Sequence, residues 1–203
     1  MSAADEPVRP NSRAHLDALL DDMADRPELR AAAEARLVQA FQELRAVMTL
    51  DMSGFARTTQ RCGVIAFLLM IHQMKRLAAP ILAANRGVMV KCEADNLYAI
   101  FPDVPQAVAA ARSIIAAMRK ANEAISDDRR LYASIGIGYG TILNVADADL
   151  FGDEVNLASK LGEDVADRGE VLLTEAAATR MGPAEPVRRA AVSRARRAVP
   201  LAA

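Results

Sequence analysis

The stretch AVMTLDMSGF, residues 46–55, joins a short apolar run to an acid and a small flexible turn. Ala46 to Leu50 are apolar and partly β-branched, which predicts a buried strand. Asp51 therefore stands at the end of that strand, beside a turn with free backbone amides. Such an acid can hold a hard cation and a polyphosphate together. Capping of the following helix is the alternative role for Asp51.

A second acid lies in a predicted hairpin further along the chain. Strands are expected over Gly87–Cys92 and Leu97–Phe101, with a tight turn at Glu93–Asn96 between them. Asp95 in this turn has an alternative role, which is to serve the turn geometry alone. If the strand of Asp51 lies beside the hairpin, both carboxylates converge at one sheet edge, where they can hold a pair of magnesium ions.

The segment DLFGDEVNLASK, residues 149–160, predicts a helix that begins near Asp153. Asn156 and Lys160 are one helical turn apart and therefore share one face. An amide and an ammonium that project together suit a ribose and a phosphate. The alternative is a capped amphipathic helix with Lys160 in solvent.

The periodicity of the whole chain predicts a mixed α/β sandwich, in which helices cover a sheet with antiparallel hairpins. A helical segment spans Ser12 to about Arg45, broken near Arg26-Pro27, and its apolar stripe packs on the same subunit or on a second copy. Gly136, Gly138 and Gly140 indicate that something approaches the backbone closely. The other expected elements are a helix from Gly63 to about Ala84 with a kink or join at Pro80, a helix over Val104–Asn122, a strand over Leu131–Gly140 with 141–146 as its hairpin partner, a helix from Asp153 to about Asp167, a strand over Glu170–Thr174 and a helix over Glu175–Met181.

The bulk composition indicates a soluble chain with no electrostatic attraction to nucleic acid or a membrane surface. The 203 residues are 52% hydrophobic, and the formal net charge is -1. Cys62 and Cys92 fit no metal spacing, so a reduced, cytoplasmic setting is expected. No membrane span is expected, because the apolar run from Val64 to Ile71 is soon interrupted by His72, Gln73, Lys75 and Arg76.

Together and in this order, three motifs resemble the catalytic domain of class III adenylate and guanylate cyclases. They are DMSGF at 51–55, KCEAD at 91–95 and DLFGDEVNLASK at 149–160. The resemblance runs from about Ala46 to Met181. It implies an α+β fold with a ferredoxin-like βαββαβ core sheet covered by helices, here preceded by the N-terminal helices.

The resemblance also implies a role for each matching position. Asp51 and Asp95 would bind two Mg²⁺ or Mn²⁺ ions with the Met52 carbonyl as a further ligand. The amides of Met52, Ser53, Gly54 and Phe55 would hold the terminal phosphates of the substrate.

The remaining matches concern the base, the ribose and the partner subunit. Lys91 and Asp149 match the pair that reads adenine, which favours ATP over GTP. Asn156 would orient the ribose, and Lys160 would stabilise charge on the phosphate. The implied enzyme makes cyclic AMP and pyrophosphate from ATP. It is expected to be a homodimer, with Asp51 and Asp95 from one chain and the other four residues from its partner.

Three departures from the family pattern leave other functions open. Lys160 replaces an Arg, Glu93-Ala94 replaces an apolar residue and Gly, and the basic tail lacks the family's further phosphate-binding Lys. The alternatives are a weak or inactive domain that binds nucleotide or dimerises, and a guanylate cyclase. The expected layout is a disordered segment at 1–11, N-terminal helices at 12–45, a catalytic domain at 46–182 and a disordered basic tail at 183–203.

Overall fold

The computed structural model describes residues 11–52, 55–126 and 129–181, with the side chains of 55–62 outside that description. Predictions for 1–10, for Ser53 and Gly54, and for the tail from 182 onward therefore fall outside the described residues. Within them, the helices are α1 (Arg13–Asp25), α2 (Arg30–Phe41), α3 (Phe55–Ala84), α4 (Val104–Asn122), α5 (Asp153–Lys160) and α6 (Glu175–Met181), with a 3₁₀ turn at Pro27–Leu29 and a π-helical turn at Leu161–Val165. The strands are β1 (Gln42–Met52), β2 (Val88–Glu93), β3 (Asn96–Phe101), β4 (Ala133–Val145), β5 (Asp149–Phe151) and β6 (Val171–Leu173).

The six strands form one sheet in the order β2-β3-β1-β4-β5, and β6 pairs in parallel with β4. The other pairings are antiparallel, and β1 lies centrally between β3 and β4. The fold is therefore α+β, with helices covering a mostly antiparallel sheet, as predicted.

Alternation of side chains along β1 divides the core between the two faces of the sheet. Met48 and Leu50 face α3, α4 and α6 in the larger apolar cluster, and Val47 faces the smaller cluster on the side of α5. Asp51 follows the alternation of Val47 and so lies on the α5 side of the sheet.

The N-terminal helices pack on the same chain. Leu16 and Leu19 of α1 join Phe41 of α2 and Val145 of β4 in a third cluster. Leu44, which the helical periodicity of this segment would place on its apolar stripe, belongs to β1 instead and is 58% exposed.

Two predicted boundaries are wrong for the same reason. The helix expected to reach Arg45 ends at Phe41, and residues 141–145 continue β4 instead of forming its hairpin partner. Gln42–Arg45 pairs with Gly140–Leu143, so a long-range ladder overrides the local helical and turn patterns. The hairpin partner of β4 is β5, which pairs with Leu143–Val145 and follows a turn in which Ala146 and Asp147 have φ of 54° and 52°.

Two helices also differ from expectation. The helix predicted from Gly63 to about Ala84 is present, but its backbone leaves helical angles at Gly63, with φ 81° and ψ 167°, and not at Pro80, where the sequence predicts a kink or join. The helix expected to run to about Asp167 ends at Lys160 as α5, and the π-helical turn Leu161–Val165 follows it directly. The prediction for α6 is confirmed.

The segment Gly63–Ala84 of α3 is the one described helix long and apolar enough to cross a membrane, by length and composition alone. The sequence argument against a membrane span is therefore wrong on this point, because the segment passes the test although it contains the polar residues at positions 72, 73, 75 and 76. One such helix is weak evidence for a span, because core helices of soluble proteins pass the same test. This helix is not mostly buried, however: Phe67, Met70 and Met74 are buried, but only 22% of the apolar window is.

Candidate active site

Asp51 and Asp95 lie together at one edge of the sheet. Asp51 pairs with Asn96 in the β1–β3 ladder, and the Met52 N–H donates to the Asp95 carbonyl over 3.1 Å. The central position of β1 beside the β2–β3 hairpin thus brings the two acids next to each other. This placement of the backbone is the one that the two-carboxylate hypothesis requires.

A third carboxylate lies near them. Burial, followed by the charges of Asp95 and Glu163, raises the pKa of Asp51 from 3.8 to about 6. Burial also raises the pKa of Glu163, with the charges of Asp164 and Asp95 adding to the effect. Sequence reasoning missed Glu163; the one available signal was its position two helical turns after Asn156.

These acids fit a divalent cation chemically. Carboxylate oxygens are the donors that Mg²⁺ prefers, and a cation would offset the mutual repulsion that raises the pKa of Asp51. Among the described residues, no group of three or more metal-ligating side chains is preassembled. Two protein carboxylates suffice for Mg²⁺, which usually keeps waters and substrate phosphates as its other ligands.

The Lys91–Asp149 pair joins the two edge strands. Lys91 Nζ lies 2.9 Å from Asp149 Oδ1 and 5.0 Å from the centre of the Tyr98 ring. The edge strands β2 and β5 approach each other on the side of the smaller core cluster, which contains both Val90 and Leu150. The sheet is therefore curled enough to bring residues from its opposite edges together.

Both members of this pair are held in their charged forms. Burial lowers the pKa of Lys91, but hydrogen bonds to Asp149 and Glu93 outweigh the effect of burial. The pKa of Lys91 is therefore raised above its usual value. Burial raises the pKa of Asp149, but hydrogen bonds from Lys91, Arg13 and the Leu150 N–H outweigh the effect of burial. The pKa of Asp149 is therefore lowered below its usual value. A donor-only ammonium thus lies beside an acceptor-only carboxylate.

Asn156 and Lys160 are exposed on α5. The helix carrying them lies tightly on the sheet, because a Cβ at Gly136 would be 2.0 Å from the Ala158 carbonyl oxygen. The close approach expected at the β4 glycines is thus made by α5. Thr49 Oγ1 and Ser159 Oγ, 3.4 Å apart, add a polar contact between β1 and this helix.

The start of α5 is fixed by Glu154. Its Oε2 accepts from the Tyr139 N–H at 3.0 Å and from Thr174 Oγ1 at 2.7 Å. A Cβ at Gly138 would lie 2.6 Å from the Glu154 carbonyl oxygen, so only glycine allows this approach. The first turn of α5 is therefore clamped between β4 and the end of β6.

Within one chain, the candidate residues fall into three pairs by contact or position. These are Asp51 with Asp95, Lys91 with Asp149, and Asn156 with Lys160; among the described residues, Lys91 with Asp149 is the pair joined by a hydrogen bond. Ser53 and Gly54 lie outside the described residues, and Phe55 is described only as the first residue of α3.

Comparison with known proteins identifies the chain's relatives. Residues 38–192 match the family model of the adenylate and guanylate cyclase catalytic domain. A putative adenylate cyclase 3 from Rhizobium meliloti is 30% identical over 134 residues, which is 66% of this chain and 22% of that protein. An adenylate cyclase from Streptomyces coelicolor is 28% identical over 152 residues, 72% of this chain and 38% of that protein.

The chain thus spans well under half the length of these two relatives. Among solved structures, an adenylate/guanylate cyclase/hydrolase from Silicibacter pomeroyi has a TM-score of 0.55 at 31% identity, covering 64% of this chain and 74% of that one. The match to the family model extends over more than half of the chain, from within α2 past the end of α6. The chain belongs to the adenylate and guanylate cyclase catalytic domain family.

Proposed function

We propose that this domain converts ATP to 3′,5′-cyclic AMP and pyrophosphate. The observation that carries the proposal is the Lys91–Asp149 ion pair. Adenine presents an acceptor at N1 and a donor at its amino group, which match a donor-only Lys and an acceptor-only Asp. Guanine presents a donor at N1 and an acceptor at O6, so the same pair would face it with the wrong polarity.

In the proposed reaction, the ribose 3′-oxygen attacks the α-phosphorus. A bond forms between these two atoms, the bond from the α-phosphorus to the bridging oxygen of the β-phosphate breaks, and pyrophosphate leaves. The proton of the 3′-hydroxyl is released to solvent. Two Mg²⁺ or Mn²⁺ ions bound by Asp51 and Asp95 would neutralise phosphate charge and lower the pKa of that hydroxyl.

The protein groups around this chemistry have binding and orienting roles. The Met52 carbonyl would add a metal ligand, and the amides of Ser53, Gly54 and Phe55 would bind the terminal phosphates. On α5, Asn156 would orient the ribose, and the Lys160 ammonium would stabilise charge that develops on the phosphate. Rigid attachment of α5 to the sheet supports these roles, because orientation requires a fixed scaffold.

We further propose that two copies share each site. Asp51 and Asp95 would come from one chain, and the base-reading pair and α5 from its partner. The support for this arrangement is the family membership of the chain, because the resemblance to class III cyclases implies sites shared between two chains. A symmetric dimer would then contain two equivalent sites.

A second candidate function is a nucleotide-binding or dimerising module with little turnover. The observation that favours it is Lys160, since a lysine lacks the planar fork with which an Arg grips two phosphate oxygens. Such a module would bind ATP with a divalent cation and release no cyclic AMP.

The deciding assay measures cyclic AMP after purified protein is incubated with ATP and Mn²⁺. Asp51→Ala and Asp95→Ala are expected to abolish product, and Asp21→Ala, an exposed acid on α1, serves as the matched control. Product from the wild type no greater than from the two site variants would overturn the cyclase proposal. Greater turnover of GTP than of ATP would overturn the assignment of the base.

A further inference from the structure

Arg13, the first residue of α1, contacts Asp149 of the proposed base-reading pair, Lys91 and Asp149. Its Nη2 lies 2.6 Å from Asp149 Oδ2, and its guanidinium carbon lies 5.9 Å from the centre of the Phe151 ring. The Arg13 side chain is 55% exposed, whereas that of Asp149 is only 20% exposed. The N-terminal helices therefore touch the predicted substrate site through one long cationic side chain.

The position of Arg13 is set by neighbouring contacts. Asn11 Nδ2 donates to the Asn144 carbonyl at 3.1 Å, and Asn11 Oδ1 accepts from the Ala146 N–H at 2.6 Å. Ser12 caps α1 by accepting from the His15 N–H at 3.2 Å. The first turn of α1 is thus attached to the turn that leads into β5, the strand that begins with Asp149.

Both oxygens of Asp149 are occupied by donors of this chain. Oδ1 accepts from Lys91 Nζ and from the Leu150 N–H, each over 2.9 Å, and Oδ2 accepts from Arg13. An adenine amino group that sought the same carboxylate would have to displace the Arg13 guanidinium or share its oxygen. Oδ2 can accept a second hydrogen bond, as Oδ1 does, but the second bond is weaker because the Arg13 guanidinium already neutralises part of the charge of this carboxylate.

We propose that Arg13 competes with the adenine amino group for Asp149 Oδ2, and thereby weakens ATP binding and narrows the discrimination between ATP and GTP. This inference rests on the proposed function, since it assumes that Asp149 reads the base. Hydrogen-bond chemistry explains why Arg13 should weaken the binding of ATP more than that of GTP. Arg13 has only donors, so it opposes the amino group of adenine but can donate to O6 of guanine.

The competition links the N-terminal helices to the site. Leu16 and Leu19 of α1 share a cluster with Phe41 of α2, and α2 runs directly into β1, the strand that carries Asp51. A displacement of α1 would free Asp149 without any change in the base-reading pair itself.

Direct binding of nucleotides that cannot cyclise tests the proposal. The probes are 3′-deoxy-ATP and 3′-deoxy-GTP with Mn²⁺, titrated calorimetrically into wild type, Arg13→Gln and Arg13→Lys. Arg26→Gln is the matched control, because Arg26 belongs to the same helical segment, is also 55% exposed and pairs with the carboxylate of Asp22.

Loss of an exposed ion pair predicts that Arg13→Gln lowers the Kd of 3′-deoxy-ATP by about two- to fivefold. The Kd of 3′-deoxy-GTP should stay constant or rise, and Arg13→Lys should lie nearer the wild type. The gain for the ATP analogue should shrink as salt is raised, since salt screens the competing charge. A structural role alone would not tighten binding of one base selectively.

Unchanged or weaker binding of 3′-deoxy-ATP by Arg13→Gln, relative to Arg26→Gln, would overturn the inference and leave the proposed function intact. Failure of both analogues to bind every variant would overturn the proposed function, and this inference with it. Amide hydrogen exchange on the wild type gives an independent test: 3′-deoxy-ATP should speed exchange in the first turns of α1, and no change there would contradict displacement of Arg13.

Discussion

Replacing Asp51 with asparagine should stabilise the metal-free protein while it removes activity. In the folded protein, the pKa of Asp51 is raised from 3.8 to about 6, first by burial and then by the charges of Asp95 and Glu163. At about 1.36 kcal/mol per pH unit, this difference corresponds to about 3 kcal/mol. The side chain is half-buried, so solvent screening reduces the expected effect to about 1–2 kcal/mol.

The sign follows from linkage. An acid whose pKa is higher in the folded state contributes stability that is fully present below pH 3.8 and is lost as pH rises through about 6. The asparagine amide does not titrate, so the advantage of Asp51→Asn should be greatest at pH 8 and roughly half as large at pH 5. With a divalent cation, the wild type should become more stable than Asp51→Asn, because the cation binds the wild-type carboxylate and not the amide.

The assay is urea unfolding at pH 5 and pH 8 in EDTA, repeated with Mn²⁺. Asp21→Asn, which removes the same charge from an exposed acid on α1, is the control. A variant at Asp51 that is less stable than the wild type at pH 8, or whose advantage is the same at both pH values, would refute the reasoning. So would equal stabilisation of both proteins by Mn²⁺.

Three further predictions concern backbone geometry and charge. Ala94, at φ 50° in the β2–β3 turn, should be replaceable by Gly with a gain of about 0.5–1 kcal/mol in unfolding free energy, since Gly adopts this conformation without a Cβ clash. Gly136→Ala should cost about 3 kcal/mol or more, because its Cβ would lie 2.0 Å from the Ala158 carbonyl oxygen; Gly140→Ala would meet Glu154 Cγ at 2.7 Å, a side-chain atom that can yield more than backbone, and should cost less. Lys160→Arg should raise kcat for cyclic AMP formation by about tenfold or more, through a bidentate phosphate contact.

Each of these predictions has a matched control and a contradictory outcome. For Ala94→Gly the control is Ala116→Gly, on the exposed face of α4, which should lose about 1 kcal/mol in the same urea experiment; a loss at Ala94 as well would contradict the turn argument. For Gly136→Ala the control is Gly140→Ala, and a cost at Gly136 below about 1 kcal/mol would contradict the close approach of the α5 backbone. For Lys160→Arg the control is Lys120→Arg on α4, and equal kcat for wild type and Lys160→Arg would contradict the assigned phosphate role.

The central strands, and the sheet edge that carries Asp51 and Asp95, could be predicted from the sequence because their signals are local. The apolar run before Asp51 and the turn around Asp95 mark strand ends directly, and the pairing of β1 with β3 places these ends together. Family resemblance then linked them to Lys91 and Asp149, whose contact depends on the curl of the sheet. No periodicity in β2 or β5 indicates that their edges meet.

The errors arose where long-range pairing or packing overrides local preference. Leu44 continues the helical stripe of α2 in sequence, but the β1–β4 ladder takes it into a strand. Glu163 lies near the acids within the π-helical turn Leu161–Val165, and its seven-residue spacing from Asn156 indicates a shared face only on a regular helix, which this turn interrupts. Arg13 contacts Asp149 across 136 positions of the chain, and no local pattern reports such a contact.

Complementation between two inactive variants tests the shared two-acid site most directly. Asp51→Ala lacks a metal ligand, and Asn156→Ala lacks the proposed ribose contact, so each homodimer should be inactive. In an equal mixture, random exchange makes half of the dimers mixed, and each mixed dimer has one intact site of two, which predicts about one quarter of wild-type cyclic AMP formation. A mixture as inactive as its components, in a sample shown to exchange subunits, would contradict the account.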